Sequence, residues 1–287
     1  MKLLTKGDKV GIVACSNGLS EKFREKIDLL NNTLESLGLK CVMSKKIYKG
    51  KSPLNSTGKE RAAILMDFFC DDEIKAVFDI SGGDLCNEIL EYLDYDIIKN
   101  NPKPFFGYSD LSVVLNALYS KTEMKTYLYQ IRNIIDENKE EQIKNFKNTI
   151  MDDGNLLKDF SYKWIQGCRM EGIVVGGNIR CLLKLAGTEY MPDFNGKILF
   201  LESLSGDVYK MTTYLTQYKH MGVFNKVKGI ILGSYTEMER EGYSPNIVEI
   251  VKNIVDDESM PIVKTNEIGH GKDSKCIVIG EKIILNK

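Results

Sequence analysis

Ser109, His270 and Glu202 are the residues of this chain whose types and settings could support hydrolysis of a carbonyl compound. Ser109 stands in Gly-Tyr-Ser-Asp, where the apolar run 103–108 ends and Leu111, Val114, Leu115 and Leu118 begin a helical spacing. A hydroxyl at such a corner has two roles open to it. It can cap the helix by accepting one of the unpaired N–H groups of the first turn. Alternatively it is a nucleophile on a tight strand-to-helix turn, with Gly107 permitting close approach and the Asp110 N–H facing a developing oxyanion. The match to G-x-S-x-G is incomplete, because Leu111 stands at the place of the second glycine.

A serine nucleophile requires a base, and the chain offers two histidines. His220 falls in a helical pattern outlined by Tyr214, Leu215, Tyr218 and Met221. His270 lies between two glycines in Ile-Gly-His-Gly, which lets the backbone approach a ligand and leaves the ring uncrowded. His270 is therefore the better base. The base in turn requires an orienting carboxylate. Glu202 ends the apolar run Ile198-Leu199-Phe200-Leu201, where an acid is costly to bury without a partner; its other role is that of a structural acid at a strand end.

Gly82-Gly83, after the run 76–81, offers either simple turn glycines or an oxyanion donor, for which the Gly83 N–H is the choice. No phosphate-binding or dinucleotide fingerprint accompanies them. Cys86 follows closely and is the rival nucleophile, since a thiolate at a helix N-terminus can be activated. A non-catalytic binding protein on the same scaffold is a third reading. Trp164, the single tryptophan, either stacks on a flat substrate group or anchors the segment around it. Asn178 is read as a helix cap and substrate contact, and Arg180 as a substrate contact or an exposed helix residue.

The elements that must hold these residues alternate in type. Strand-like runs at 9–16, 39–48, 76–81 and 103–108 are separated by helical patterns at 21–40, 56–75 and 87–100, which predicts a parallel α/β sheet. In 21–40, Phe23, Ile27, Leu30, Leu34 and Leu37 form one apolar stripe. Ser56 or Thr57 could cap the next helix. Residues 136–163 turn charge-dense and read as a solvated helix followed by a linker. Strands resume at 170–177, 197–203, 227–234 and 260–264, and 275–286 reads as a hairpin around Gly280-Glu281. The expected division is an N-terminal α/β domain at 1–150, a linker at 151–169 and a C-terminal α/β domain at 170–287.

Composition narrows the function classes. The 287 residues carry a formal net charge of −1, so nothing points to nucleic acid or an anionic membrane surface as partner. The N-terminal stretch breaks its apolar run with Lys6, Asp8 and Lys9 and is read as carrying no signal peptide. Seven cysteines, odd in number and without a CxxC, suit a reducing cytoplasm and argue against a thiolate zinc site. With two histidines, a His-rich metal centre is not expected, and no cofactor is expected.

The blocks also resemble, in order and nearly end to end, the LD-carboxypeptidase family of serine peptidases, which includes murein tetrapeptide carboxypeptidases and microcin C self-immunity hydrolases. "GDKVGIVACS" is similar to the family's opening strand. Asn-Pro-Lys before Gly-Tyr-Ser-Asp is the most specific block, followed by "GGNIRCLLKLAGT", "GKILFLE", "GVFNKVKGIILG" and "IGHG". The resemblance implies a Ser-Glu-His triad at Ser109, Glu202 and His270. It also implies a flavodoxin-like N-terminal domain with a swivelling β/α/β C-terminal domain, a cleft between them and a homodimer. The implied substrate is a small peptide ending in a D-amino acid or, in the other branch, a peptidyl or aminoacyl nucleotide. Departures occur at Cys15, at Ser203 and at Asp84-Leu85-Cys86. The last loop, with Asp84, is expected to shape the substrate pocket.

Overall fold

The short apolar runs of the first half assemble as parallel strands because each is followed by a helix long enough to carry the chain back. The computed structural model describes residues 2–49 and 56–287. Its first sheet contains β1 (Lys9–Val13), β2 (Lys40–Met43), β3 (Ile74–Asp79), β4 (Phe105–Gly107) and β5 (Thr126–Leu128). They lie in the order β2-β1-β3-β4-β5 with every neighbour parallel. This is the flavodoxin-like order, which gathers ligands at the carboxyl ends of its strands.

The second sheet is built from β6 (Lys163–Gln166), β7 (Arg169–Asn178), β8 (Ile198–Ser203), β9 (Gly229–Tyr235) and β10 (Ile262–Lys264). Strands β7 to β10 run parallel in chain order, and β6 pairs antiparallel with β10 at one edge. Every residue of β8 and β9 is buried, which is why both read as continuous apolar runs.

The expected hairpin at 275–286 does not form. Strand β11 (Ile277–Ile279) pairs antiparallel with β5 in the first sheet, whereas β12 (Lys282–Asn286) pairs antiparallel with β7 in the second. The chain turns between sheets at Gly280, whose φ of +86° suits glycine and where a Cβ would lie 2.6 Å from the Tyr119 ring. All of β11 is buried while β12 alternates at an edge, so burial separates two strands that sequence proximity joins. Sheet membership thus departs from chain order. Residues 151–169 contain strand β6, and 170–287 lend β11 to the first sheet.

Helix Ser112–Thr122 links the two sheets. Seven consecutive residues from Ser112 to Leu118 are buried, so both its faces pack. Asn116 exchanges hydrogen bonds with Gly176 of β7, at 2.8 and 2.9 Å, and one apolar core runs from Val13 through this helix to Leu285. Among the other helices, Arg24–Ser36 buries Ile27, Leu30 and Leu34 of the expected stripe, and Gly58–Cys70 starts on a Thr57–Glu60 capping box. Among the described residues, no helix is long and apolar enough to cross a membrane.

Candidate active site

Strand β4 delivers Ser109 to the edge where both sheets meet. Tyr108 is still extended at φ −159°, and the chain then turns sharply, because Ser109 sits at φ +59° before the helical turn that leads into Ser112–Thr122. A non-glycine residue in that region costs about 1–3 kcal/mol and persists only where its surroundings impose it. Gly107 is required at the same corner, since a Cβ there would come 2.7 Å from Leu111 Cβ. The Ser109 hydroxyl makes no cap bond to the helix. It lies instead 3.1 Å from His270 Nε2.

His270 arrives on a loop that leaves β10 and returns to the first sheet through β11. Gly269, at φ +145°, lets this loop press onto β9: a Cβ would meet Ser234 Oγ at 2.0 Å and Glu202 Oε2 at 3.3 Å. The His270 N–H also donates to Ser234 Oγ at 3.3 Å. Its ring is buried to 1% exposure, and Nδ1 is 2.6 Å from Glu202 Oε2. With Nδ1–H donated to the glutamate, Nε2 is free to accept from the serine hydroxyl; this tautomer is assigned from the bonding pattern. Glu202 is fully buried on β8, and its other oxygen, Oε1, accepts from Asn178 Nδ2 at 3.0 Å. Three residues separated by up to 161 positions therefore form one hydrogen-bonded line.

The glycine pair is tied to the same corner through Asp110. This carboxylate is fully buried and accepts from Ser16 Oγ at 2.6 Å, from the Cys86 N–H at 2.9 Å and from Lys184 Nζ. Lys184 also donates to the Asp84 carbonyl at 2.7 Å, and Asp84 pairs with Arg180 at 2.6 Å. Behind this row, Asp79 accepts from the Cys15 and Ser81 N–H groups at 2.7 and 2.8 Å, and burial pushes its pKa up in spite of them. Gly83, at φ +127°, leaves no room for a Cβ, which would lie 2.3 Å from Asn17 Cγ. Among the described residues, the N–H groups of Gly83 and Asp110 donate to no other protein group.

Other expected residues take different positions. Asn178 caps the turn Ile179–Leu182 by accepting from the Cys181 N–H, and it holds Glu202, so its side chain is engaged inside the protein. Asp84 is exposed at the rim of the Gly83 loop. Trp164 is not brought to the triad. It lies on edge strand β6, three strands from β8, a separation of about 14 Å at normal strand spacing. There it meets Tyr162 edge-on at 6.3 Å, as an anchor would. Cys86 is fully buried, and burial together with the Asp110 and Asp79 charges pushes its thiol pKa well up, which removes the thiolate a nucleophile needs.

Sequence reasoning missed the Asp110 carboxylate, Ser112 (whose Oγ accepts from the Asn178 N–H at 2.8 Å) and Lys184. It also missed Tyr108, whose ring centroid is 4.5 Å from that of His270. Position next to Ser109 was a usable signal for Asp110 and Tyr108; nothing local marked Lys184. Among the described residues, no group of three or more His, Cys, Asp or Glu side chains is arranged to hold a metal ion.

An α/β pair of sheets with a serine, a histidine and a glutamate aligned where they meet defines the class to which comparison with known proteins also leads. Residues 10–129 match the LD-carboxypeptidase N-terminal domain, and residues 171–285 match the LD-carboxypeptidase C-terminal domain. The chain belongs to the LD-carboxypeptidase family. It is similar to the probable murein peptide carboxypeptidase of Bacillus subtilis, at 28% identity over 99% of this chain and 91% of that protein. It is also similar to the microcin C7 self-immunity protein MccF of Escherichia coli, at 26% identity over 99% of this chain and 92% of that protein. Among solved structures, an MccF-like protein from Bacillus anthracis superposes with a TM-score of 0.86 at 28% identity, covering 100% of this chain and 95% of that one. MccF in complex with glutamyl sulfamoyl guanosine shares the fold with a TM-score of 0.89 at 22% identity, covering 99% and 95% of the two chains.

Proposed function

We propose that this protein is a serine carboxypeptidase that hydrolyses the amide between an L-centre and a terminal D-amino acid. The observation that carries the reading is the continuous line from Ser109 Oγ through both ring nitrogens of His270 to Glu202. In the reaction, Nε2 of His270 takes the Ser109 proton as the oxygen attacks the scissile carbonyl. Glu202 keeps the imidazole in its useful tautomer and stabilises the cation that forms. Asn178, by holding the second oxygen of Glu202, positions that carboxylate. The N–H groups of Gly83 and Asp110 are the oxyanion donors, and loss of one such donor costs about 3 kcal/mol of transition-state stabilisation. His270 then protonates the leaving amine, and water releases the acyl group from Ser109 by the reverse path.

The strained backbone at Ser109 supports this role, because a capping serine has no need of a left-handed conformation. Seven unpaired cysteines, four of them buried, support a reducing, cytoplasmic setting. A second reading, cleavage of an aminoacyl or peptidyl nucleotide, is favoured by the likeness to MccF. Incubation with a murein tetrapeptide and, separately, with an aminoacyl sulfamoyl adenylate distinguishes the two: D-alanine released from the first supports peptidase action, and an amine-bearing nucleotide released from the second supports the alternative. Ser109→Ala should abolish either release, and Glu202→Gln should lower kcat about 10⁴-fold. Full activity in Ser109→Ala would sink both readings.

A further inference from the structure

Beside the triad lies a cavity of about 250 Å³ lined by His270, Tyr108, Gln130, Arg132, Asp136 and Lys272. Two donors here have no acceptor among the described residues. Gln130 is only 6% exposed, and its Oε1 accepts the Arg132 N–H at 3.2 Å. That bond fixes the orientation of the amide, so the free end is the Nε2 donor. Among the described residues, neither Gln130 Nε2 nor Arg132 Nε has a protein acceptor, although both atoms are buried. Leaving a buried donor unsatisfied costs about 1–3 kcal/mol, more when the group is charged, so two in one cavity call for an acceptor from outside.

That acceptor should be anionic. The single carboxylate lining the cavity, Asp136, is already engaged by Lys272 at 3.4 Å and by the Glu137 N–H at 3.0 Å. Lys26 adds positive charge to the lining around Arg132, while Lys272 is paired with Asp136 and Glu137. Burial pushes the Arg132 guanidinium below its usual pKa, against the pull of Tyr108, Asp79 and Asp136, and a bound anion would relieve this. Size narrows the choice further, since pockets for drug-sized ligands start at about 300 Å³. One small amino acid fits this space.

We infer that this cavity is the subsite for the departing amino acid, with Gln130 and Arg132 binding its terminal carboxylate. The inference rests on the serine peptidase reading, because it is His270 that must hand a proton to the leaving amine, and the same residue borders the cavity. A carboxylate held here positions the scissile amide against Ser109 and excludes chains that continue past the departing residue. Cleavage is then confined to the end of a peptide.

The test compares a peptide ending in L-centre–D-alanine with the same peptide ending in D-alaninamide, using the full-length protein. Wild type should favour the acid by about 10- to 100-fold in kcat/KM, the range expected when a hydrogen-bonded charge is removed. Arg132→Gln should lose most of that preference through a raised KM on the acid, with a smaller change on the amide, and Arg132→Lys should keep part of it. Equal rates on acid and amide in the wild type, or an undiminished preference in a folded Arg132→Gln, would overturn the inference and leave the peptidase reading standing. Should the wild type cleave neither peptide, the peptidase reading falls, and binding decides the subsite. D-alanine, followed by saturation-transfer NMR, should then bind the wild type but not Arg132→Gln, and D-alaninamide should bind neither. Absence of D-alanine binding to the wild type would end the inference as well.

Discussion

The two polar clusters beside Ser109 use buried charge in opposite ways. In the cluster around Asp110, each oxygen of a fully buried carboxylate has a donor, and the chain of contacts runs on through Lys184 and Asp84 to Arg180 at the surface. In the cluster around Arg132, the guanidinium Nε and the Gln130 Nε2 have no protein acceptors among the described residues. The first arrangement fixes the Gly83 loop against the Ser109 corner and leaves no oxygen of the Asp110 carboxylate for a ligand to satisfy. The second carries a penalty in the free protein that a bound carboxylate would remove. A site that must be both rigid and receptive can divide these tasks between neighbouring clusters.

The largest effect that tests this contrast is on folding stability. Asp110→Ala should lower it by about 3–5 kcal/mol, because it strands the Lys184 ammonium, the Ser16 hydroxyl and the Cys86 N–H together. Urea unfolding measures this, and a loss below about 1 kcal/mol would show that the cluster is not what holds the loop. Arg132→Met should behave differently in the same assay. Removing a half-buried guanidinium whose Nε has no acceptor among the described residues should leave stability within about 1 kcal/mol of wild type or raise it, while activity on the free-acid peptide falls. A drop of more than about 2 kcal/mol would mean that Arg132 serves the fold. The smallest effect is expected from iodoacetamide: exposed Cys70 and Cys168 should be labelled, whereas Cys86, enclosed beside Asp110, should stay unmodified with activity retained.

The same contrast explains what could be read from the sequence. Ser109, Glu202 and His270 were legible because each ends a strand or interrupts a glycine-rich loop, and because imidazole is scarce in this chain. The strand alternation and the Thr57 cap were legible for a similar reason, since both are set by neighbours within a few residues. Whether Ser109 capped a helix or faced a base could not be decided locally; its partner lies 161 positions away. Asp110 looked like an ordinary first-turn acid, as its donors come from residues 16, 86 and 184. For Trp164 residue type left stacking and anchoring both open, because its place depends on which strand occupies the sheet edge. The false hairpin at 275–286 has the same origin. Ile277–Ile279 finds its partner in Thr126–Leu128, and no local turn signal records that pairing.

The route of the chain through β11 bears on how the molecule matures on the ribosome. Five strands of the sheet that carries Ser109 are made before residue 129, but the sixth follows only after the second sheet up to β10 and the histidine loop have emerged. A nascent chain therefore carries Ser109 long before it can complete the edge strand that follows His270, so the two residues come together only late in translation.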